Sequence, residues 1–488
     1  ITDAALDGDL ATSLKVIVGA DTNISAAVIT GTNGTQDADY TIDLAANADA
    51  ITMTIAQNAL IDAVTDNDVV ITLSDAGAAT GDVDISKYVL ANGDQTFTLG
   101  AASQDVKTGT GAVVINTGAV TNITDAALNG NDADTLTVIV GADTDISAAV
   151  ITGTGGAQDA AYDIDLAANA DAITMTIAQN ALIDTVTDND VVITLSDAGA
   201  VTADADISKY VLAAAGNTTI TLSDADLNVD TGGAGDIINV AGLTATGRFD
   251  TVSADTIQLS TGANIASVKG EGDVAGTGFN ANNLTLVKPA GTGASVTMTA
   301  AQNDSFTTAT TTGSTDQITL STAVSTTGLN SIDAYVLADG DQTFTLGDAS
   351  QNVTTGTGAV VINTGAVTNI TDAALDGDLA TSLKVIVNAD TNISAAVITG
   401  TDNRRDVDYT IDLAANADAI TMTIAQNALI DTVAENNVVI TLSDAGAVTG
   451  DVDISKYVLA DGGGTTFTLG ATGQNVDTGS GADIINVA

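Results

Sequence analysis

The side chains able to do chemistry are carboxylates, and they recur in fixed pairs. Asp66 and Asp68 are matched by Asp188 and Asp190, and in altered form by Glu435 and Asn437. Asp82 and Asp84 are matched by Asp204 and Asp206, and again by Asp451 and Asp453. Calcium takes about six to eight oxygens, largely from carboxylates and carbonyls, so an Asp-x-Asp turn can supply part of its shell. All ten aspartates of these pairs are therefore candidate calcium ligands. The competing reading is that Asp favours turns and keeps them soluble. The chain has no His and no Cys. That removes the usual general base and the commonest transition-metal ligand. It also removes thiolate metal sites and any disulfide framework.

Enzyme chemistry finds little else to use. Glycoside hydrolysis needs two carboxylates flanking one sugar, whereas these acids recur with a period and none is singled out. Lys87, Lys209 and Lys456 recur as well, each beside a Tyr, and a salt link to a turn Asp is their expected role. Gly109-Thr110-Gly111 lacks the Lys and the helix of a phosphate loop. Thr-x-Thr pairs such as Thr52-Met53-Thr54 and Thr96-Phe97-Thr98 suit ice binding, but ordinary strand alternation produces them too. The expectation is a protein that is not an enzyme, with ice-binding and polysaccharide-active solenoids as remote alternatives.

Composition narrows the partners. The 488 residues carry 62 acidic against 11 basic side chains, a net charge of −51. Nucleic-acid binding needs a basic face, and an anionic membrane surface repels such a chain. Divalent cations are attracted to it. Acidity of this degree can signal disorder, but 45% of the residues are hydrophobic, enough to bury a core. Aromatic residues are only 3%, without Trp, which points to a thin interior. No apolar run reaches the length of a membrane span.

Internal repetition is plain. Ile-Thr-Asp-Ala-Ala-Leu starts at Ile1, Ile123 and Ile370. Ile-Thr-Met-Thr-Ile-Ala-Gln-Asn starts at Ile51, Ile173 and Ile420, with a variant at Val296. The four methionines, Met53, Met175, Met298 and Met422, follow at steps of 122, 123 and 124, and Tyr88, Tyr210, Tyr335 and Tyr457 keep pace. Four repeats result: 1–122, 123–242, a divergent 243–369 holding the single proline, Pro289, and 370–488. Ile1 to Leu10 read as the interior of a repeat, and the last repeat stops at Ile-Asn-Val-Ala where others run on. The chain is accordingly expected to be a section, or a processed form, of a longer protein.

Within the first repeat, short β-branched runs predict strands at 15–18, 27–30, 40–44, 51–54, 69–73, 88–90, 96–99 and 112–116. Asp, Asn, Gly and Ser lie between them as turn formers, as in Asn92-Gly93-Asp94 and Asp339-Gly340-Asp341. From Ile55 to Val64 the apolar spacing suits a short helix, and an irregular apolar turn suits it equally. The fold class expected is all-β: a right-handed parallel β-solenoid of tandem repeats of about 122 residues. Tandem β-sandwich domains are the alternative. Scarce aromatics and the absence of linkers favour the solenoid, with coils of ~20–25 residues, ~20–24 coils and a rod of about 100 Å.

Two stretches resemble the glycine- and aspartate-rich nonapeptide of RTX proteins. One is Thr231-Gly232-Gly233-Ala234-Gly235-Asp236-Ile237-Ile238-Asn239, the other Thr478-Gly479-Ser480-Gly481-Ala482-Asp483-Ile484-Ile485-Asn486. The resemblance implies stacked turns holding calcium, with Asp236 and Asp483 in ligand positions. The first and third repeats carry Val113 and Val360 there instead. In composition and repeat style the chain is similar to bacterial S-layer proteins and giant type I-secreted adhesins. That likeness implies a secreted, cell-surface structural subunit, self-assembling as lattice or filament. The stalk of an adhesin is its alternative. Expected partners are other copies of the chain, divalent cations and cell-surface glycans, with no organic cofactor.

Overall fold

A computed structural model describes the chain except at residues 67, 124, 189, 271–273, 289–292, 312–314, 389, 436 and 488, and the side chains of residues 2 and 3. Pro289 lies outside the described residues. About 40% of the chain is strand and 4% helix, and the parallel strands stack as a β-solenoid of about 23 turns. The β-sandwich alternative is thereby overturned, since sandwich sheets are antiparallel.

The chain divides into two compact units, Ile1–Thr219 with Leu227–Gly233, and Ile220–Asp226 with Ala234–Ala488. In the first, one inward ladder runs Ile51, Ile71, Tyr88, Val106, Leu128, Ile151. None of these six side chains is more than 1% exposed. A second ladder, Ala79, Phe97, Ile115, Val138, Ile164, faces the interior from another sheet. The second unit repeats the plan with Ile318, Tyr335, Val353, Leu375, Ile398 and with Phe344, Ile362, Val385, Ile411. The core is thus walls of aliphatic side chains, each resting on the same position one coil away. Three ring pairs recur: Tyr88 and Phe97, Tyr335 and Phe344, and Tyr457 and Phe467 each stand 4.8 Å apart between centroids.

Outward positions alternate with these, as a two-residue period demands. Thr52 lies against Thr72, and Thr72 against Val89. The bends close by stacking backbone on backbone. Gly93 has φ +110° and Gly111 φ +108°, and a Cβ on Gly111 would fall 2.6 Å from the carbonyl carbon of Gly93. Only glycine fits both the conformation and the approach.

Coil length is less uniform than expected. Register offsets are 17 residues from Ile71 to Tyr88, 22 from Val106 to Leu128 and 29 from Asn23 to Thr52. The 29-residue coil carries its surplus in a loop after Thr30, closed by an antiparallel bridge from Thr30 to Gln36. The helix expected over Ile55 to Val64 is corrected in part. It spans Ile55–Asn58 only, and Ile61–Val64 is a strand paired with Thr41–Leu44. One turn of helix has little stability of its own, and the ladder to the previous coil captures the rest.

Because Phe97 fills its coil, Phe97→Ala is expected to cost about 3–5 kcal/mol. Urea unfolding followed by far-UV circular dichroism measures the loss, and a change within error of zero would contradict a packed interior at this position.

Candidate functional site

The paired aspartates first. Each pair forms a closed turn in which the leading carboxylate accepts the N–H of the trailing residue. The distances are 3.1 Å for Asp66 and Asp68, and 3.0 Å for Asp188 and Asp190. They are 2.9 Å for Asp82 with Asp84, Asp204 with Asp206, and Asp451 with Asp453. One oxygen of each leading carboxylate is therefore engaged in its own turn. No group of three or more acidic side chains able to hold a metal ion occurs among the described residues.

Both nonapeptide aspartates bond to an adjacent coil, Asp483 through its carboxylate and Asp236 through its main-chain N–H, which meets the carboxylate of Asp255. Asp483 Oδ1 accepts the N–H of Thr465 at 2.9 Å. Asp236 is fully buried, and its own N–H donates to Asp255 Oδ1 at 3.0 Å. These belong to a wider set. Asp94 and Asp341 accept from Ala112 and Ala359 at 2.9 and 2.8 Å. Asp75, Asp197 and Asp444 accept from Ile55, Ile177 and Ile424 at 2.8, 2.7 and 2.7 Å. Asp21, Asp143 and Asp390 accept from Ala50, Ala172 and Ala419 at 3.0, 3.0 and 2.8 Å. At a bend the β-ladder cannot serve every N–H, and an ionised carboxylate is a strong acceptor. Part of the acidity thus joins one coil to another. Sequence reasoning missed these residues because their partners lie about one coil away and share no local spacing with them. Their recurrence with the period was the available signal.

Asp339 shows the electrostatic side. It accepts both the N–H and the hydroxyl of Thr357, at 2.8 and 2.9 Å, and these bonds hold its carboxyl below the ordinary 3.8. The lysines behave less regularly. Lys209 lies 3.6 Å from Asp230, at a strand end rather than a turn, and no ion pair forms at Lys87 or Lys456 among the described residues.

The Ile-Ala-Gln-Asn phrase is explained by a buried polar network. Thr54 Oγ1 accepts the Gln57 N–H at 3.1 Å and Gln57 Oε1 accepts the Thr54 N–H at 3.0 Å, a reciprocal cap. Gln57 Nε2 reaches Ile24 O at 3.1 Å. The Tyr88 hydroxyl donates to Asn58 Oδ1 at 3.0 Å and accepts the Asp82 N–H at 2.8 Å. Burial pushes its phenol well above the ordinary value. The same bonds recur around Tyr210, Tyr335 and Tyr457.

Beside each network one sheet is interrupted. Ile61–Val64 and Ala78–Thr80 lie in successive coils, yet each ends its own sheet. The same holds for Ile183–Val186 with Ala200–Thr202, Thr308–Thr311 with Thr326–Thr327, and Ile430–Val433 with Ala447–Thr449. Open grooves of about 440, 450 and 440 Å³ mark this place in the second, third and fourth repeats. Asn58 Nδ2 donates to Thr80 O across the interruption at 2.9 Å, and Asn303 Nδ2 to Thr327 O at 2.8 Å. This groove recurs in three of the four repeats.

Two outcomes test the carboxylate joints. Asp316 is fully buried and accepts the Ala294 N–H at 2.7 Å. Asp316→Ala should cost about 1–3 kcal/mol by stranding that donor, and Asp316→Asn, which keeps an acceptor, should cost less. Denaturant titration of the two variants reads the difference. For Asp339, the folded carboxyl titrates below its unfolded value, so its contribution is whole above that value and fades as pH falls through the folded one. Asp339→Asn should therefore flatten the acid limb of a stability-versus-pH curve and leave its alkaline limb unchanged.

No protein-family model, curated protein or solved structure matches the chain, so its role rests on the geometry alone.

Proposed function

We propose that the chain is a structural subunit of an extracellular surface layer or filament, self-assembling through its β-repeats, and that it has no catalytic role. The observation that carries the reading is the use to which its carboxylates are put. They join coil to coil at recurrent positions, as Asp75, Asp197 and Asp444 do, instead of converging on one substrate. A scaffold built this way presents similar surfaces in successive repeats, which suits contact with further copies of itself. Other carboxylates, such as those of Asp84, Asp206 and Asp453, are exposed, and the net charge is −51. Like-charged copies repel, so divalent cations, calcium foremost, are the counter-ions assigned to contacts between copies. Cell-surface glycans are the second class of partner.

The near-identity of the first, second and fourth repeats equally suits a duplicated spacer, which makes the stalk of a secreted adhesin the second reading. Electron microscopy of the native cell surface, with and without chelator, separates the two. Ordered sheets or fibres that disperse on chelation are expected. Isolated whiskers ending in a knob, unchanged by chelator, would replace the subunit reading with the stalk.

A further inference from the structure

The interrupted sheets expose something that a continuous solenoid hides, namely strand edges in the middle of the chain. Gly77 O accepts the Thr96 N–H and Gly81 N–H donates to Thr98 O, at 3.1 and 2.8 Å. Alternation along a parallel ladder then turns the N–H and C=O of Ala78 and Thr80 the other way, toward the groove. The fourth repeat does the same. Thr466 N–H donates to Gly446 O and Gly450 N–H to Thr468 O, at 2.8 and 2.9 Å, which turns Ala447 and Thr449 outward. Asn58 covers one acceptor, Thr80 O, and leaves the N–H groups of Ala78 and Thr80 open to a newcomer.

The walls of the groove decide what can enter. Small residues, Ala447, Thr449 and Gly450, line the edge in the fourth repeat and allow a main chain to approach closely. The rim is acidic. Asp451 lines the groove of the fourth repeat, Asp204 that of the second and Asp304 that of the third, and no Lys or Arg lines any of the three. An unpaired edge binds an extended peptide by adding it as a strand, and the rim favours cationic side chains on that peptide.

We infer that each sheet interruption is an acceptor site for an extended, lysine-bearing peptide strand, bound through the groove-facing main chain of Ala78 and Thr80 and their counterparts. The inference stands apart from the assembly reading, since a monomeric stalk would carry the same sites. The ligand supplies main-chain acceptors to the Ala78 and Thr80 N–H groups and a main-chain N–H to Ala78 O, and its lysines meet the acidic rim.

The test uses the full chain and a capped hexapeptide of alternating Lys and Thr, titrated calorimetrically at physiological salt. A matched peptide of equal charge carries methyl groups on every backbone nitrogen, so that neither of its edges can pair as a strand. The expected result is saturable binding with at most one peptide per repeat, weakened at least tenfold by methylation. In the protein, Ala78→Pro, Ala200→Pro and Ala447→Pro together delete three groove-facing N–H groups that the ladder does not use, a position where an edge strand tolerates proline. That triple variant should keep its circular dichroism spectrum and lose binding in three repeats. Equal binding of both peptides would mean that charge alone attracts them, and the inference would fail. It would fail equally if the folded triple variant bound with unchanged stoichiometry. Should the triple variant misfold, the methylated peptide still decides the question.

Discussion

Each time a stacked chain turns a corner, main-chain N–H groups leave the strand ladder and must find another acceptor, because a buried donor without one is costly. This constraint organises the molecule. Aspartates at the bends answer it, each reaching to the coil beside it, as Asp94 does to Ala112 and Asp341 to Ala359. The glycines answer the complementary steric demand, letting one bend lie on the next as Gly111 lies on Gly93. Part of the acidity that first suggests a cation-binding protein is therefore the means by which the chain closes its own corners.

The interior follows from the same geometry. Successive coils place like residues over like, so the core consists of columns such as Ile51, Ile71, Tyr88 and Val106 rather than a jigsaw of large side chains. Rings face each other across the interior in three repeats, as Tyr88 faces Phe97, whereas Tyr210 is buried among aliphatic walls without a ring partner among the described residues. Around the short helix the polar atoms enter as a closed network, and the Thr54, Gln57, Asn58 and Tyr88 set satisfies its members reciprocally.

Most strands were legible because their alternation is strong. The runs at Lys15–Val18 and Ala112–Asn116 stand where the pattern puts them, and the others shift by about one residue. Ala78–Thr80 and Asp105–Lys107 escaped notice because their own residues carry little strand preference, and they are extended because the neighbouring coils template them. The helix was half legible for the opposite reason. Its apolar spacing continues past Asn58, but the register with Ile42 and Leu44 overrides it. The site was less readable. Asp-x-Asp spacing drew attention to local turns, whereas the long-range joints of Asp21, Asp75 and Asp316 depend on which coil lies beside which. Spacing along one chain does not encode that.

The unequal coils carry a consequence of their own. A turn of the chain can use 17 residues or 29 and still keep its neighbours in register, the surplus going into an external loop such as the one that Thr30 and Gln36 close. Growth and cargo are thereby uncoupled from the scaffold. New sequence can be grafted at such a corner, by evolution or by a protein engineer, and displayed without re-threading the layers on either side.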